Sequence, residues 1–372
     1  MRPLRMPVAA MEHFYRGGAA IADLRGGPPR CERSPEEWLA STTARSGAEP
    51  AGLSRLEDGS LLRDAIAADP AAWLGPVHVE RFGAQPELLA KLLHAGERLP
   101  VHLHPDRAFA GRHLGCAHGK TEAWAVLDAE DATTVHLGFR VPVERGELAG
   151  LVERQDTAGL LERMHEVPLR TGDTVVVPAG VPHALGAGAF VLEVQEPTDF
   201  SILLDWRGYA IDGPSEGHLG LGFDVALDAV RRTPLSAAEV EALRVPAALA
   251  AAPAEGPRPL LAPAAAPFFR ADLLRPPEGA DTSVPAGFGV LVVLDGSGTL
   301  RTADTDLRLA RGDVLALPHG AGPLRMSGAA TAVLCRPPDP ALERTSEPAS
   351  EPAAEPAAEP AAATGADTGA PH

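Results

Sequence analysis

The stretch RTGDTVVVPAGVPHALGAGAFVLEVQ, residues 170–195, predicts the fold of this chain. Its short apolar runs, TVVV and AFVLEVQ, each follow a turn signal that contains glycine. Short runs of β-branched and apolar residues between such turns are typical of antiparallel strands. Similar runs occur between residues 87 and 205, in LPVHLHP, TEAWAVLD, TTVHLGF and FSILLDW. We therefore expect a mainly β fold.

The same pattern occurs a second time near the C-terminus. The spacing Gly-Asp-x4-Pro-x-Gly at 172–180 recurs at 312–320, within the sequence ARGDVLALPHG. Upstream, AWAVLDA at 123–129 aligns with VLVVLDG at 290–296. Because both blocks match in the same order, two related β-barrels explain them better than two unrelated hairpins that share a turn.

These patterns divide the chain into segments. The leucines of PVERGELAGLVERQDTAGLLERMHE predict an inserted helical segment. The C-terminal repeat of Glu-Pro-Ala is typical of a disordered, solvated tail. The predicted organisation is an N-terminal segment that packs on the first barrel (1–86), a first barrel (87–244) with the helical insertion at about 142–166, a Pro/Ala-rich connector (245–267), a second barrel (268–338) and the tail (339–372).

Composition excludes several classes of protein. The 372 residues carry 33 basic and 50 acidic side chains, and no basic face is apparent, so we expect no nucleic-acid partner. The three scattered cysteines form no C-x-x-C pair, which argues against a disulfide framework and a thiolate metal site. No apolar run is long enough for a membrane span or a signal-peptide core. We expect a cytoplasmic enzyme without a membrane partner, and no segment indicates an oligomeric state.

Four residues have the types and the positions of a metal site: His102, His104, Glu122 and His183. In a strand, side chains at i and i+2 face the same side, so the two histidines of VHLHPD can both point into a barrel. An isolated His-x-His is more often a surface pair. Here, however, a strand glutamate and a histidine after Gly-Asp-x4-Pro-x-Gly follow in order. Three imidazoles and one carboxylate suit Zn²⁺, Mn²⁺ or Fe²⁺.

The second β block lacks comparable ligands. Pro323 lies eleven residues after the turn glycine, where the first block has His183. Gly289 aligns with Glu122 in the preceding strand. We therefore expect a degenerate second barrel that does not bind metal in this way.

Lysine is rare in this sequence. Lys91 and Lys120 are the only two among 33 basic residues. A compact ammonium does chemical work that a guanidinium cannot, so a lysine that persists in an arginine-rich chain invites a functional explanation. For Lys120 this explanation and a purely compositional one are about equally supported, whereas for Lys91 the compositional interpretation is favoured.

The blocks HLHPD, GKTEAWAVLDA and GDTVVVPAGVPHALG together resemble the class I mannose-6-phosphate isomerases, which are zinc-dependent cupins. The likeness covers residues 85–205 and extends through the second β block to about residue 338. It implies two cupin-type, jelly-roll barrels, the first metal-binding and the second degenerate. It also implies interconversion of mannose 6-phosphate and fructose 6-phosphate through an enediol, with one Zn²⁺ per chain and a phosphosugar as substrate.

The resemblance assigns metal ligands by position. His104, Glu122 and His183 match the ligands of the family. His102 stands where the family usually has glutamine, so it matches in position but not in type. An imidazole in place of an amide should hold zinc more tightly.

The resemblance also indicates catalytic residues. Lys120 matches the lysine of the GKTE block and would polarise a substrate oxygen. Glu193 matches the glutamate of the LE-x-Q strand, as the base, a partner of the site or a structural carboxylate. The family has an arginine, thought to assist proton transfer, where this chain has Leu203, and Arg207 lies four residues further along as the remaining candidate.

Three alternatives remain open. The missing arginine allows an isomerase for a different sugar or phosphosugar. The His-His-Glu-His set also suits a metal-dependent cupin oxygenase. A sugar-binding protein that keeps the metal without turnover is the third alternative.

Overall fold

A computed structural model describes residues 1–27 and 31–341, and most of the predicted tail lies outside them. The strands of the described chain are β1 (Leu4–Arg5), β2 (Ala10–Met11), β3 (Glu36–Leu39), β4 (Leu89–His94), β5 (His102–Leu103), β6 (Glu122–Ala129), β7 (Thr134–Phe139), β8 (Met164–Pro168), β9 (Thr174–Val177), β10 (His183–Leu185), β11 (Ala189–Gln195), β12 (Ile202–Leu203), β13 (Arg244–Val245), β14 (Arg258–Pro259), β15 (Arg270–Leu274), β16 (Thr282–Val284), β17 (Gly289–Asp295), β18 (Ser297–Arg301), β19 (Asp306–Ala310), β20 (Val314–Leu317), β21 (Leu324–Gly328) and β22 (Thr331–Arg336).

The helices are short. They are α1 (Ala20–Arg25), α2 (Leu62–Ala68), α3 (Pro70–Leu74), α4 (Pro76–Phe82), α5 (Arg107–His113), α6 (Arg145–Arg154), α7 (Thr157–Glu162), α8 (Gly213–Glu216), α9 (Phe223–Ala226) and α10 (Ala237–Ala242). Within the described chain, no helix is long and apolar enough to cross a membrane.

The first β unit consists of two antiparallel sheets. Its larger sheet has the strand order β13-β9-β6-β11-β4-β3-β2, and its smaller sheet has the order β12-β5-β10-β7-β8. Every residue of β9 and β11 is buried, because the apolar runs of the sequence lie in the middle of the larger sheet. Helices α6 and α7 lie within the predicted insertion and pack Leu148 and Leu160 into the same apolar cluster as Leu103 of β5.

The second β unit repeats this arrangement with another pair of sheets. Their strand orders are β1-β20-β17-β22-β15-β14 and β16-β21-β18-β19. The expectation of a mainly β fold is therefore confirmed.

The N-terminal segment contributes strands to both units. β2 and β3 extend the larger sheet of the first unit, where Trp38 pairs with Lys91. β1 joins the second unit, where Leu4 pairs with Ala316. Residues 1–86 thus join the two units as well as packing on the first.

Candidate active site and metal centre

The predicted metal ligands come together between the two sheets of the first unit. His102 and His183 are directly opposite each other on β5 and β10 of the smaller sheet. Glu122 begins β6 of the larger sheet, opposite Val177. All of these ligand side chains, including His104, are at least nine-tenths buried.

The three histidines form a compact cluster. One ring nitrogen from each of His102, His104 and His183 lies within 4.8 Å of the others. The ring centroids of His102 and His183 are 4.1 Å apart. Among the described residues this is the only group of three or more histidine, cysteine, aspartate or glutamate side chains close enough to hold a metal ion.

Backbone carbonyls fix the orientation of each imidazole. The Nδ1 atoms lie at hydrogen-bond distance from carbonyl oxygens, at 2.8 Å for His102 and Pro100, 2.6 Å for His104 and Phe200, and 2.9 Å for His183 and Val181. A carbonyl oxygen only accepts, so Nδ1 donates and Nε2 keeps its lone pair for a ligand. Nε2 of His183 is buried and has no hydrogen-bond partner within the described chain.

The charge states also fit a metal. Burial, helped by the Lys120 ammonium, lowers the pKa of His104 to about 3, so the ring is neutral at pH 7. Burial also lowers the pKa of His102 well below its usual range. Burial alone would raise the pKa of Glu122, but the Lys120 ammonium lowers it well below its usual value, so the carboxylate is ionised. Its Oε2 lies 3.0 Å from His104 Nε2, and its Oε1 lies 3.3 Å from His183 Nε2.

Lys120 lies directly beside this cluster. Its Nζ is 2.5 Å from Glu122 Oε2 and 2.7 Å from His104 Nε2. The same ammonium is 3.8 Å from Glu193 Oε1. Lys120 therefore contacts both the metal-ligand cluster and Glu193, the second residue predicted to be catalytic.

Glu193 lies between the two lysines of the chain. Lys91 pairs with it across β4 and β11, with Nζ 3.7 Å from Glu193 Oε1. Burial raises the pKa of Glu193 to about 7, and the nearby Glu122 carboxylate adds to this effect. A carboxyl group with such a pKa can gain and lose a proton near neutral pH. Lys91 is part of the site, contrary to the compositional interpretation.

A buried polar network behind Lys91 is the part of the site that sequence reasoning missed. Glu36 lies 3.5 Å from Lys91 Nζ and 3.1 Å from His13 Nε2. It accepts hydrogen bonds from Tyr15 and from Trp38 Nε1. These residues all come from the first 38 positions of the chain. The sequence offered one indirect signal for them, the rarity of lysine, because Lys91 is the residue that Glu36 contacts.

Two of the predicted ligands, His102 and Glu122, line an inner cavity of about 130 Å³ together with Lys120 and Glu193. An outer cavity of about 430 Å³ adjoins it. Leu203 is buried and lines both cavities, so no guanidinium reaches them from this strand.

The structure does not bring Arg207 to the site. Its side chain is exposed and donates a hydrogen bond to the backbone carbonyl of Arg154. It lines neither cavity, because the chain turns towards the surface after the buried Asp205, which is held by Arg98.

No family model matches the chain, but curated relatives and solved structures do. The chain is 32% identical over 209 residues to the "probable mannose-6-phosphate isomerase GmuF" of Bacillus subtilis (strain 168), covering 53% of this chain and 59% of that protein. A mannose-6-phosphate isomerase of Streptococcus mutans is 31% identical over 172 residues, covering 45% of this chain and 49% of the relative. The matched stretch thus spans about half the length of these relatives. ManA of B. subtilis, a mannose-6-phosphate isomerase, is 26% identical over 322 residues and is matched over 86% of this chain and 94% of its own length.

The resemblance to the class I mannose-6-phosphate isomerases is confirmed. The mannose 6-phosphate isomerase of B. subtilis superposes with a TM-score of 0.70 at 22% identity, covering 90% of this chain and all of that one. A variant of phosphomannose isomerase from Salmonella typhimurium gives a TM-score of 0.68 at 19% identity, with 91% and 100% coverage. These structures show that the chain has the fold of mannose-6-phosphate isomerases.

Proposed function

We propose that this chain is a metal-dependent isomerase that interconverts mannose 6-phosphate and fructose 6-phosphate through an enediol. The observation that carries the proposal is the buried contact series from the three histidines through Glu122 and Lys120 to Glu193. Metal ligands, a cation and a proton-transfer group are the three parts that such a reaction needs. The names of the relatives support the choice of substrate.

The proposed metal is one Zn²⁺ per chain, held by His102, His104, Glu122 and His183. A nitrogen-rich set without thiolates, with tautomers fixed by backbone carbonyls, is typical of a catalytic zinc site. When bound, zinc supplies a Lewis acid for the substrate's oxygens.

The protein's own residues would divide the remaining work. The Glu193 carboxylate would move the proton between C1 and C2 of the sugar, because it is the buried group with a pKa near neutrality. Lys120 would hold the oxygen on which negative charge develops. Lys91 would be a positioning residue, since it contacts Glu193 on one side and Glu36 on the other.

We also propose a cytoplasmic location. Cys31, Cys116 and Cys335 are all free in the structure, and free thiols persist in reducing compartments.

A coupled assay with mannose 6-phosphate tests the proposal. We expect turnover in zinc-loaded protein, with at least a hundredfold loss after chelation or in Glu122→Gln. Glu130→Gln is the matched control, because Glu130 is exposed at the end of the same sheet and should keep full activity. Absence of turnover by the zinc-loaded wild type would overturn the proposal.

Leu203 favours a second candidate, isomerisation of another aldose or phosphosugar. Its apolar side chain lines both cavities where a cation was expected. Turnover of other aldoses, phosphorylated and unphosphorylated, in the same assay would distinguish this candidate from the first.

A further inference from the structure

We propose that Arg45, together with Arg33, forms an anion subsite that binds the phosphate group of a phosphosugar at the mouth of the active-site cavity. The inference rests on the proposed isomerase function and adds the residues that recognise the phosphorylated end of the substrate. Neither arginine belongs to the predicted catalytic set.

The two cavities form one path from the surface to the metal ligands. They share the lining residues His13, Phe14, Arg45, Asp199, Ser201 and Leu203. The inner cavity is lined by His102 and Glu122 of the ligand set and by both lysines, and the outer cavity is lined by Arg33. Arg45 lies where they meet, so a sugar with its reacting end at the ligands would extend towards it.

The arginines are the available cations of this path. Four lysine and arginine side chains line the cavities, and both lysines lie within 4.0 Å of two carboxylates each. Within the described chain, neither Arg33 nor Arg45 forms an ion pair with a carboxylate. Each donates one hydrogen bond to a backbone carbonyl, Arg33 to Phe14 at 2.7 Å and Arg45 to Glu12. The other N–H groups of each guanidinium are available to bind an anion, and their planar arrangement matches the oxygens of a phosphate group.

The loop that carries Arg45 is held in place by the catalytic sheet. The Arg45 N–H donates to the Ala51 carbonyl at 2.7 Å, which closes the loop. Gly52 packs against the Trp38 ring so closely that an added Cβ would lie 2.5 Å from it. Trp38 in turn stacks on Lys91, whose Nζ is 4.8 Å from the centre of a Trp38 ring. Arg45 is therefore presented by a packed loop.

Three carboxylates, Glu12, Asp199 and Glu216, also line the outer cavity. Their negative charge opposes the positive charge of the two arginines. Glu12 and Glu216 are exposed, where water and salt screen their charge. Arg33 and Arg45 are half-buried, and buried charges are screened less. The third carboxylate, Asp199, is also half-buried, so the half-buried charges of the outer cavity are two guanidiniums and one carboxylate, and their net charge is positive.

Substitution of each arginine tests the subsite. In Arg45→Gln and Arg33→Gln we expect KM for mannose 6-phosphate to rise about tenfold, with kcat changed less than threefold. The inhibition constant for inorganic phosphate should rise by a similar factor, and Arg45→Lys should recover part of the loss. Arg63→Gln is the matched control, since Arg63 lies outside both cavities and pairs with Glu49 at 2.8 Å.

Direct phosphate binding separates this inference from the proposed function. Calorimetric titration with inorganic phosphate measures the subsite without turnover. Loss of phosphate binding in both Gln variants supports the subsite even if the wild type does not isomerise mannose 6-phosphate. Unchanged phosphate affinity and unchanged KM in both variants would overturn the subsite and leave the isomerase proposal standing.

Discussion

The two β units have the same turn and different interiors. In the first unit, Gly172 N–H donates to Val126 O at 2.8 Å; in the second, Gly312 N–H donates to Val293 O at 2.8 Å. Both glycines have left-handed backbones, with φ of +94° and +87°. The repeated motif thus specifies one local structure twice, which is why it predicts the fold at both places.

Function depends on which residues occupy equivalent positions. Glu122 pairs with Val177, the residue before the turn proline, and Gly289 pairs with Leu317, the residue before the corresponding proline. A Cβ on Gly289 would lie 2.8 Å from Leu334 Cδ1 and 3.0 Å from the Cys335 carbonyl. The space that a carboxylate uses in the first unit is closed in the second, where the buried side chains are mostly apolar and include a cation, Arg336.

We expect the largest effect on kcat from substitutions in the first unit that remove proton transfer without removing the metal. In Glu193→Gln and Lys120→Gln we expect kcat to fall by roughly a thousandfold, because each removes one group that handles charge or protons. Zinc content should stay near that of the wild type in both. Metal analysis beside steady-state kinetics checks this, and loss of zinc in Glu193→Gln would contradict the assigned role.

The converse test introduces a carboxylate into the second unit, at Gly289, which is the position equivalent to Glu122. Gly289→Glu should lower the free energy of unfolding by roughly 3 kcal/mol, because its side chain forces close contacts with Leu334 and with the Cys335 carbonyl. Urea denaturation measures this.

Gly256→Glu is the control for that substitution. Nothing lies within 4 Å of a Cβ at Gly256, so we expect a change of no more than about 0.5 kcal/mol. Equal stability of the two variants would show that the second interior has room for a ligand.

A buried acid in the first unit should make stability depend on pH. In metal-free protein, the pKa of Glu193 is about 7 when folded, above its ordinary value of 4.5. The folded state then holds a proton that the unfolded state has lost, so stability falls as pH rises from about 4.5 to 7. Relative to Glu193→Gln, the wild type should lose on the order of 3 kcal/mol over this range. If the free energies of unfolding of the wild type and of Glu193→Gln differ by the same amount at every pH in this range, the raised pKa of Glu193 is contradicted.

The smallest effect is expected at Arg207. Since its side chain is exposed and lies outside both cavities, Arg207→Gln should change kcat/KM by less than about twofold. A tenfold loss in the coupled assay would return Arg207 to the catalytic set.

The sequence predicted the parts of the site that depend on local pattern. Strand alternation predicted that His102 and His104 share one face, and the turn motif indicated His183 as a ligand; the structure shows that His183 begins β10, opposite His102. Glu36 and Lys91 lie 55 positions apart and meet through pairing of β3 with β4, which no local pattern specifies. Sequence spacing likewise did not show that the chain beyond Leu203 turns Arg207 to the surface.

The location of bound zinc tests the central difference between the two units. Anomalous X-ray scattering at the zinc edge, from crystals of zinc-loaded protein, locates the metal directly. We predict one site per chain, among His102, His104, Glu122 and His183, and none in the second unit. Zinc bound elsewhere, or a first unit without zinc at saturating metal, would contradict the account.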